Sequence, residues 1–162
     1  MIEAVIFDFG RTLYDPTIKA LFPGVIDTLT ELQNRNLKLG LVSIAETDDT
    51  DQRLKELNEL GIMQFFSAIS IIARSIKSKN FGKIFDELGV SENPRKAIII
   101  GDNLKRDIEE GNSIGAHTVW TRQRLSADWK PINDKQNPDY TIEAIEELIP
   151  IIEGLLSNTE FS

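Results

Sequence analysis

Cysteine is absent from the 162 residues, which excludes disulfides, thiolate metal sites and a cysteine nucleophile. Histidine occurs once, at His117, so a site built on several imidazoles is excluded as well. No apolar run approaches the ~20 residues that a bilayer-spanning helix needs. Basic clusters are equally scarce: Arg74, Lys77, Lys79 and Lys83 are spread out, and the formal net charge is −8. That balance argues against a nucleic-acid binder, whose affinity rests on neutralising phosphates. No basic region precedes the first apolar stretch, which meets Asp8 at once, so no signal peptide is expected. The expectation is a cytoplasmic protein without membrane or nucleic-acid partners.

What is present suits a single folded domain over residues 1–162, with 41% hydrophobic and 27% charged residues. Short apolar, β-rich segments lie at 4–7, 37–42, 68–72 and 97–100, with weaker ones at 118–121 and 139–142. Helical spacing fills the gaps. Val25, Leu29 and Leu32 follow Pro23-Gly24, and Leu54, Leu57 and Leu60 precede Gly61. Phe81, Ile84, Phe85 and Leu88 precede Gly89, while Ile108, Gly111 and Ile114 precede Gly115. Strands alternating with helices predict βαβ units and an α/β fold with a mainly parallel sheet. Continuous runs such as AIII at 97–100 fit strands buried on both faces. Residues 122–137 are polar and predict a long surface loop. A last helix is expected over 142–156, kinked or broken at Pro150.

Ligands of an open parallel sheet bind at the carboxyl ends of its strands. Here the first apolar run ends in Asp8, the second in Ser43 and the fourth in Gly101-Asp102-Asn103, with Asp107 about one helical turn beyond. Carboxylates gathered at one rim repel each other unless a cation sits among them. Oxygen ligands without histidine or cysteine favour a hard ion such as Mg²⁺. Lysines at 77 and 79 stand just before a helix, where they would neutralise an anionic substrate. Asp, Ser, Lys and paired Asp together are equipment for phosphoryl transfer.

IFDFGRTL at 6–13, GLVS at 40–43 and GDNLKRDI at 101–108 resemble, in order and spacing, three motifs of the haloacid dehalogenase (HAD) superfamily. The likeness runs from about Ile2 to Leu148. It implies a Rossmann-like, three-layer HAD core and an aspartyl-phosphate mechanism with Asp8 as nucleophile. It also implies substrate binding by Ser43 and Ile44, and a Mg²⁺ site at Asp8, the Gly10 carbonyl, Asp102 and Asp107. The family's remaining lysine matches Lys77 in shorter versions of the segment, or Lys79 in the commoner form with a turn of helix deleted. Counting back from Leu88-Gly89-Val90 favours Lys77, as a catalytic and substrate-binding group.

Two departures stand out. Most family phosphatases carry a second aspartate two residues after the nucleophile, as general acid and base. This sequence has Gly10 there, and Arg11 replaces the usual glycine after it. Loss of that acid predicts a slow phosphatase; the alternatives are a persistent aspartyl-phosphate or a catalytically impaired binding module. Dehalogenation is disfavoured, because it has no need of the Asp102–Asp107 pair. The second departure is a missing cap, since neither 13–23 nor 43–77 holds a separate lid. An open site suits a phosphorylated small molecule or macromolecule. Thr12 is expected to stabilise its loop, the acidic stretch 46–51 to form a helix-capping turn, and His117 and Trp120 to be structural.

Overall fold

Strand β1 (Ala4–Phe7) lies fully buried at the centre of a six-stranded parallel sheet. The computed structural model describes residues 1–76, 78–125 and 128–158. Beyond β1 come a two-residue-per-strand hairpin, β2 (Tyr14–Asp15) and β3 (Ala20–Leu21), then helix α1 (Val25–Asn34) and β4 (Lys38–Ile44). The chain continues through α2 (Asp51–Glu59), β5 (Ala68–Ile72), α3 (Gly82–Leu88) and β6 (Ala97–Gly101). A π-helical turn at Leu104–Glu109 runs into α4 (Glu110–Ile114), followed by β7 (His117–Thr121), β8 (Tyr140–Ile142) and α5 (Leu148–Asn158).

The sheet order is β5-β4-β1-β6-β7-β8. From β1 the chain winds outward to β4 and β5, then returns to the other side of β1 as β6. The strand order therefore reverses between β1 and β6, the place where α/β sheets bind ligands. Alternate residues of β1 face opposite layers. Val5 and Phe7 join Leu29 and Leu32 of α1, Leu57 of α2 and Ile152 of α5 in one apolar cluster. Ala4 and Ile6 join Ile84, Phe85 and Leu88 of α3 in the other. The unbroken AVIF run is thus period-two burial under two helical layers, each fully buried aliphatic or aromatic residue contributing about 1.5–3 kcal/mol.

Between β1 and α1 stands only the hairpin, and between β4 and β6 only elements of the core itself, so the described residues hold no separate cap. The hairpin is absent from the expected strands, as two residues per strand leave no periodicity to read. β4 runs on to Ile44, so Ser43 lies within a strand rather than just beyond it. The final helix starts at Leu148, because 140–142 are strand and Ile145–Glu147 form a 3₁₀ turn. Pro150 then occupies the first turn, where its missing N–H interrupts no helical hydrogen bond. No described helix is long and apolar enough to cross a membrane.

Candidate active site

Asp8 follows β1, and its amide donates to the Ile100 carbonyl of β6 at 2.9 Å. The next residues coil into one tight turn: the Phe9 carbonyl accepts from the amides of Leu13 at 2.9 Å and Tyr14 at 3.0 Å. Closing that turn holds Arg11 in the left-handed region at φ 57, a conformation that costs a non-glycine residue on the order of 1 kcal/mol. Thr12 Oγ1 donates to Asp8 Oδ2 at 3.4 Å, a long contact consistent with loop support.

Asp102 and Asp107 come from the other side of the switch point, at the end of β6 and in the π turn. The Asn103 side chain accepts from the amides of Lys105 at 3.1 Å and Arg106 at 2.9 Å, so it is Asn103 that caps the turn. Asp107 points back instead, its Oδ2 accepting the Asn103 amide at 3.1 Å. Gly101 is required for this. A Cβ there would stand 2.1 Å from Asp107 Oδ2 and 2.5 Å from Asp107 Cβ.

Carboxylate oxygens of Asp8, Asp102 and Asp107 all lie within 4.8 Å of one another. Lys79 bridges two of them, with Nζ 2.7 Å from Asp8 Oδ1 and hydrogen-bonded to Asp107 Oδ1. Its amide is held by Glu110 Oε2 at 3.2 Å. Lys77, the lysine favoured by counting, lies outside the described residues. The lysine seen in contact with the carboxylates is Lys79, the commoner-form alternative.

Charge and burial compete here. Burial disfavours the Lys79 ammonium, but the charges of Asp107 and Asp8 outweigh it and raise its pKa. Burial also works against the Asp8 carboxylate. Lys79's charge, with hydrogen bonds from Asp102, Lys79 and the Phe9 amide, nevertheless holds Asp8 below the ordinary range. Asp102 is pushed up to about 9 by burial and then by Asp8. Asp107 rises to about 7, by burial first and Asp8's charge next, against the pull of Lys79. Three carboxyl groups thus crowd one ammonium among the described residues, and the upward shifts of Asp102 and Asp107 mark an excess of acidic groups of the kind an oxygen-ligated divalent cation neutralises. The residues present fit such an ion.

Asp8, Lys79 and Asp102 open onto a cavity of about 310 Å³, which Ser43, Ile44 and Gly10 also line, while Asp107 is buried and stands outside its lining. Nothing lies within 4 Å of where a Cβ on Gly10 would stand. In the acidic stretch 46–51, Asp49 accepts the nearby Asp51 amide at 3.1 Å, and Asp48 accepts the Ser75 amide at 2.9 Å from 27 positions away. Only Glu46 of that stretch lines the cavity. His117 stands elsewhere, with Nδ1 3.9 Å from Asp139 Oδ2.

Several supporting contacts escape sequence reasoning. Trp120 is buried as expected, and its indole N–H also donates to the Asp102 carbonyl at 2.9 Å. Gln123 Nε2 donates to the Thr12 carbonyl at 3.0 Å, and Arg124 pairs with buried Asp15 at 2.8 Å. The segment after β7 thereby braces the Asp8 loop and its hairpin. No local pattern in 122–125 signals this.

Residues 16–121 match the sequence profile of the haloacid dehalogenase-like hydrolases. The chain belongs to that family. It is 34% identical over 138 residues to the glyceraldehyde 3-phosphate phosphatase of Methanopyrus kandleri, covering 83% of this chain and 57% of that one. It is likewise 34% identical over 137 residues to the pyrophosphatase PpaX of Oceanobacillus iheyensis, covering 81% and 59%. This HAD chain therefore spans a little over half the length of these curated relatives. Its fold superposes on magnesium-bound HAD-hydrolase YfnB of Bacillus subtilis with a TM-score of 0.75 at 18% identity, covering 93% of this chain and 98% of that one.

Proposed function

We propose that this chain is a Mg²⁺-dependent phosphoric monoester hydrolase working through an aspartyl-phosphate on Asp8. The observation that carries the proposal is the Lys79 ammonium bridging Asp8 and Asp107 beside Asp102, at the switch point of a HAD sheet. The substrate is a small phosphorylated molecule, a class supported by relatives named for glyceraldehyde 3-phosphate, pyrophosphate and phosphoglycolate.

An Asp8 carboxylate oxygen attacks phosphorus, and the ester oxygen leaves. Ionised Asp8 is a ready nucleophile because its neighbours keep its pKa low. The Ser43 hydroxyl and Ile44 backbone, both lining the cavity, take the phosphoryl oxygens. Lys79 neutralises charge and fixes both carboxylates. Asp8, the Gly10 carbonyl, Asp102 and Asp107 would hold Mg²⁺, which when bound supplies charge neutralisation between nucleophile and phosphate. Water then hydrolyses the aspartyl-phosphate and restores Asp8.

Gly10 offers no acid to protonate the leaving group and no base to activate that water. General acid–base help of this kind is typically worth about 10²–10⁴ in rate, so turnover is slow. Gly10 also favours a second reading, a HAD-fold binding module without turnover. Hydrolysis of an aryl phosphate that requires Mg²⁺ and vanishes in Asp8→Asn supports the enzyme. Activity surviving Asp8→Asn refutes the nucleophile. No turnover combined with no fluoroberyllate adduct on Asp8 favours the binding module.

A further inference from the structure

Arg53 is a charged residue on α2, yet it is only 7% exposed. Its guanidinium carbon stands 4.4 Å above the ring of Phe9, the residue after Asp8. Its Nε is buried without a hydrogen-bond partner, and its closest carboxylate, Glu56, approaches Nη1 only to 3.9 Å. Packing on Phe9 accounts for the face of the guanidinium but not for the buried donor. An unpaired buried N–H is costly, and arginine, unlike lysine, offers a planar fork suited to carboxylate and phosphate.

Arg53 lines the same cavity as Asp8 and Ser43, and so do Arg11, Arg74 and Arg106. The cavity therefore has two electrostatic parts. Asp8 and Asp102 gather about Lys79, and the rest of the lining carries four arginines and one further carboxylate, Glu46. One phosphoryl group held at Asp8, Ser43 and Lys79 leaves the four arginines with a single further lining carboxylate, Glu46, against them. Arg11 reaches the cavity from a left-handed backbone position, φ 57.

We propose that Arg53, with Arg74 and Arg11 beside it, forms a second anion subsite, so that the substrate carries a further carboxylate or phosphate next to its phosphoryl group. This rests on the phosphatase reading and sharpens its substrate class. Neutral sugar phosphates and simple alkyl phosphates fill only half of the site. Bis-anionic molecules, a phosphorylated short carboxylic acid or a diphosphate, fill both halves. With no cap among the described residues, these arginines supply the discrimination that a lid would otherwise provide.

Binding of non-hydrolysable probes tests the subsite separately from turnover. With Mg²⁺ saturating, calorimetry compares phosphonoacetate and methylenediphosphonate with methylphosphonate. The expected preference for the bis-anionic probes is about 10- to 100-fold in the wild type, as befits charge-assisted bonds to a buried guanidinium. Arg53→Met should collapse that ratio toward one and Arg53→Lys should keep part of it, with thermal unfolding confirming that each variant is folded. If Arg53→Met does not fold, the Arg53→Lys and Arg74→Met ratios decide, both expected to fall. Preference for phosphonoacetate alone identifies a carboxylate, and for methylenediphosphonate alone a phosphate. A wild-type ratio near one, or a full ratio retained in folded Arg53→Met, overturns the subsite, as does failure of all three probes to bind. Loss of the ratio in Arg53→Met, in a protein that turns over no phosphate ester, supports the subsite while refuting hydrolysis.

Discussion

Replacing Gly10 by aspartate is the sharpest available perturbation of the proposed chemistry. The position tolerates it: no atom lies within 4 Å of the added Cβ, and Gly10 is not among the residues with positive φ. Removing glycine at a compatible backbone position gains about 0.4–1 kcal/mol through the unfolded chain. Repulsion from Asp8, Asp102 and Asp107 acts against that gain. The same repulsion raises the new carboxyl's pKa, which is the direction a general acid requires. The missing function is worth about 10²–10⁴ in rate, but its visibility depends on the leaving group. An alkoxide must be protonated as it departs, whereas 4-nitrophenolate leaves readily without a proton. The readout is kcat/KM, which reports the phosphorylation of Asp8 by free substrate. For an alkyl phosphate, Gly10→Asp should raise kcat/KM by about 10² or more, and for 4-nitrophenyl phosphate by much less. Equal acceleration of both substrates, or a gain under tenfold for the alkyl ester in a folded variant that binds Mg²⁺, would refute the assignment of position 10.

Other perturbations address the carboxylate cluster and the fold around it. Lys79→Met removes the one ammonium seen among the carboxylates and should destabilise the metal-free protein by about 3–5 kcal/mol, as loss of one partner from a buried ion pair does. Urea unfolding should show part of that loss recovered by Mg²⁺; if Lys77→Met instead gives the larger activity loss, Lys79 is not the catalytic lysine. Gly101→Ala forces Asp107 aside, because Cβ would meet it at 2.1 Å; calorimetry should find Mg²⁺ affinity reduced ~10-fold or more, and unchanged affinity would remove Asp107 from the metal site. The pKa of His117 is lowered by burial and then by Arg95, against Asp139. Below the unfolded imidazole value of about 6.5 the unfolded chain therefore takes up a proton that the native state resists. Stability should fall as pH drops through that value, and urea unfolding of His117→Gln should show a smaller fall than wild type between about pH 7.5 and 5.5; parallel profiles would contradict it.

The legible part of this molecule is local in sequence. AVIF before Asp8 and AIII before Gly101 announce β1 and β6, since a strand covered on both faces needs an unbroken apolar run. Glycines at 61, 89 and 115 mark helix ends, and each adopts positive φ there. The carboxylates at 8, 102 and 107 are legible because strand ends and one helical turn are short-range geometry. What escapes depends on long-range chain path. That Lys79 reaches Asp8 is set by the route from β5 to α3, and a count of residues back from a helix end does not encode that route. Asn103 caps the π turn, while Asp107 turns back to Lys79 and the Asn103 amide. Trp120, Gln123 and Arg124 reach back across 18, 111 and 109 positions respectively.

Arg53 shows the same effect at its strongest. Within DQRLKELNE it reads as one more solvated charge on an amphipathic helix, and nothing nearby separates it from Lys55 or Glu59. Only the fold sets it over Phe9, with its Nε buried and the residue lining the same cavity as Asp8. Residues that carry the reaction must sit at strand ends, where the topology of the sheet makes them readable. Residues that select the substrate come from whichever element happens to overhang those ends. In this chain that element is α2, so the chemistry can be inferred from the motifs, whereas specificity has to be sought in a helix whose sequence looks ordinary.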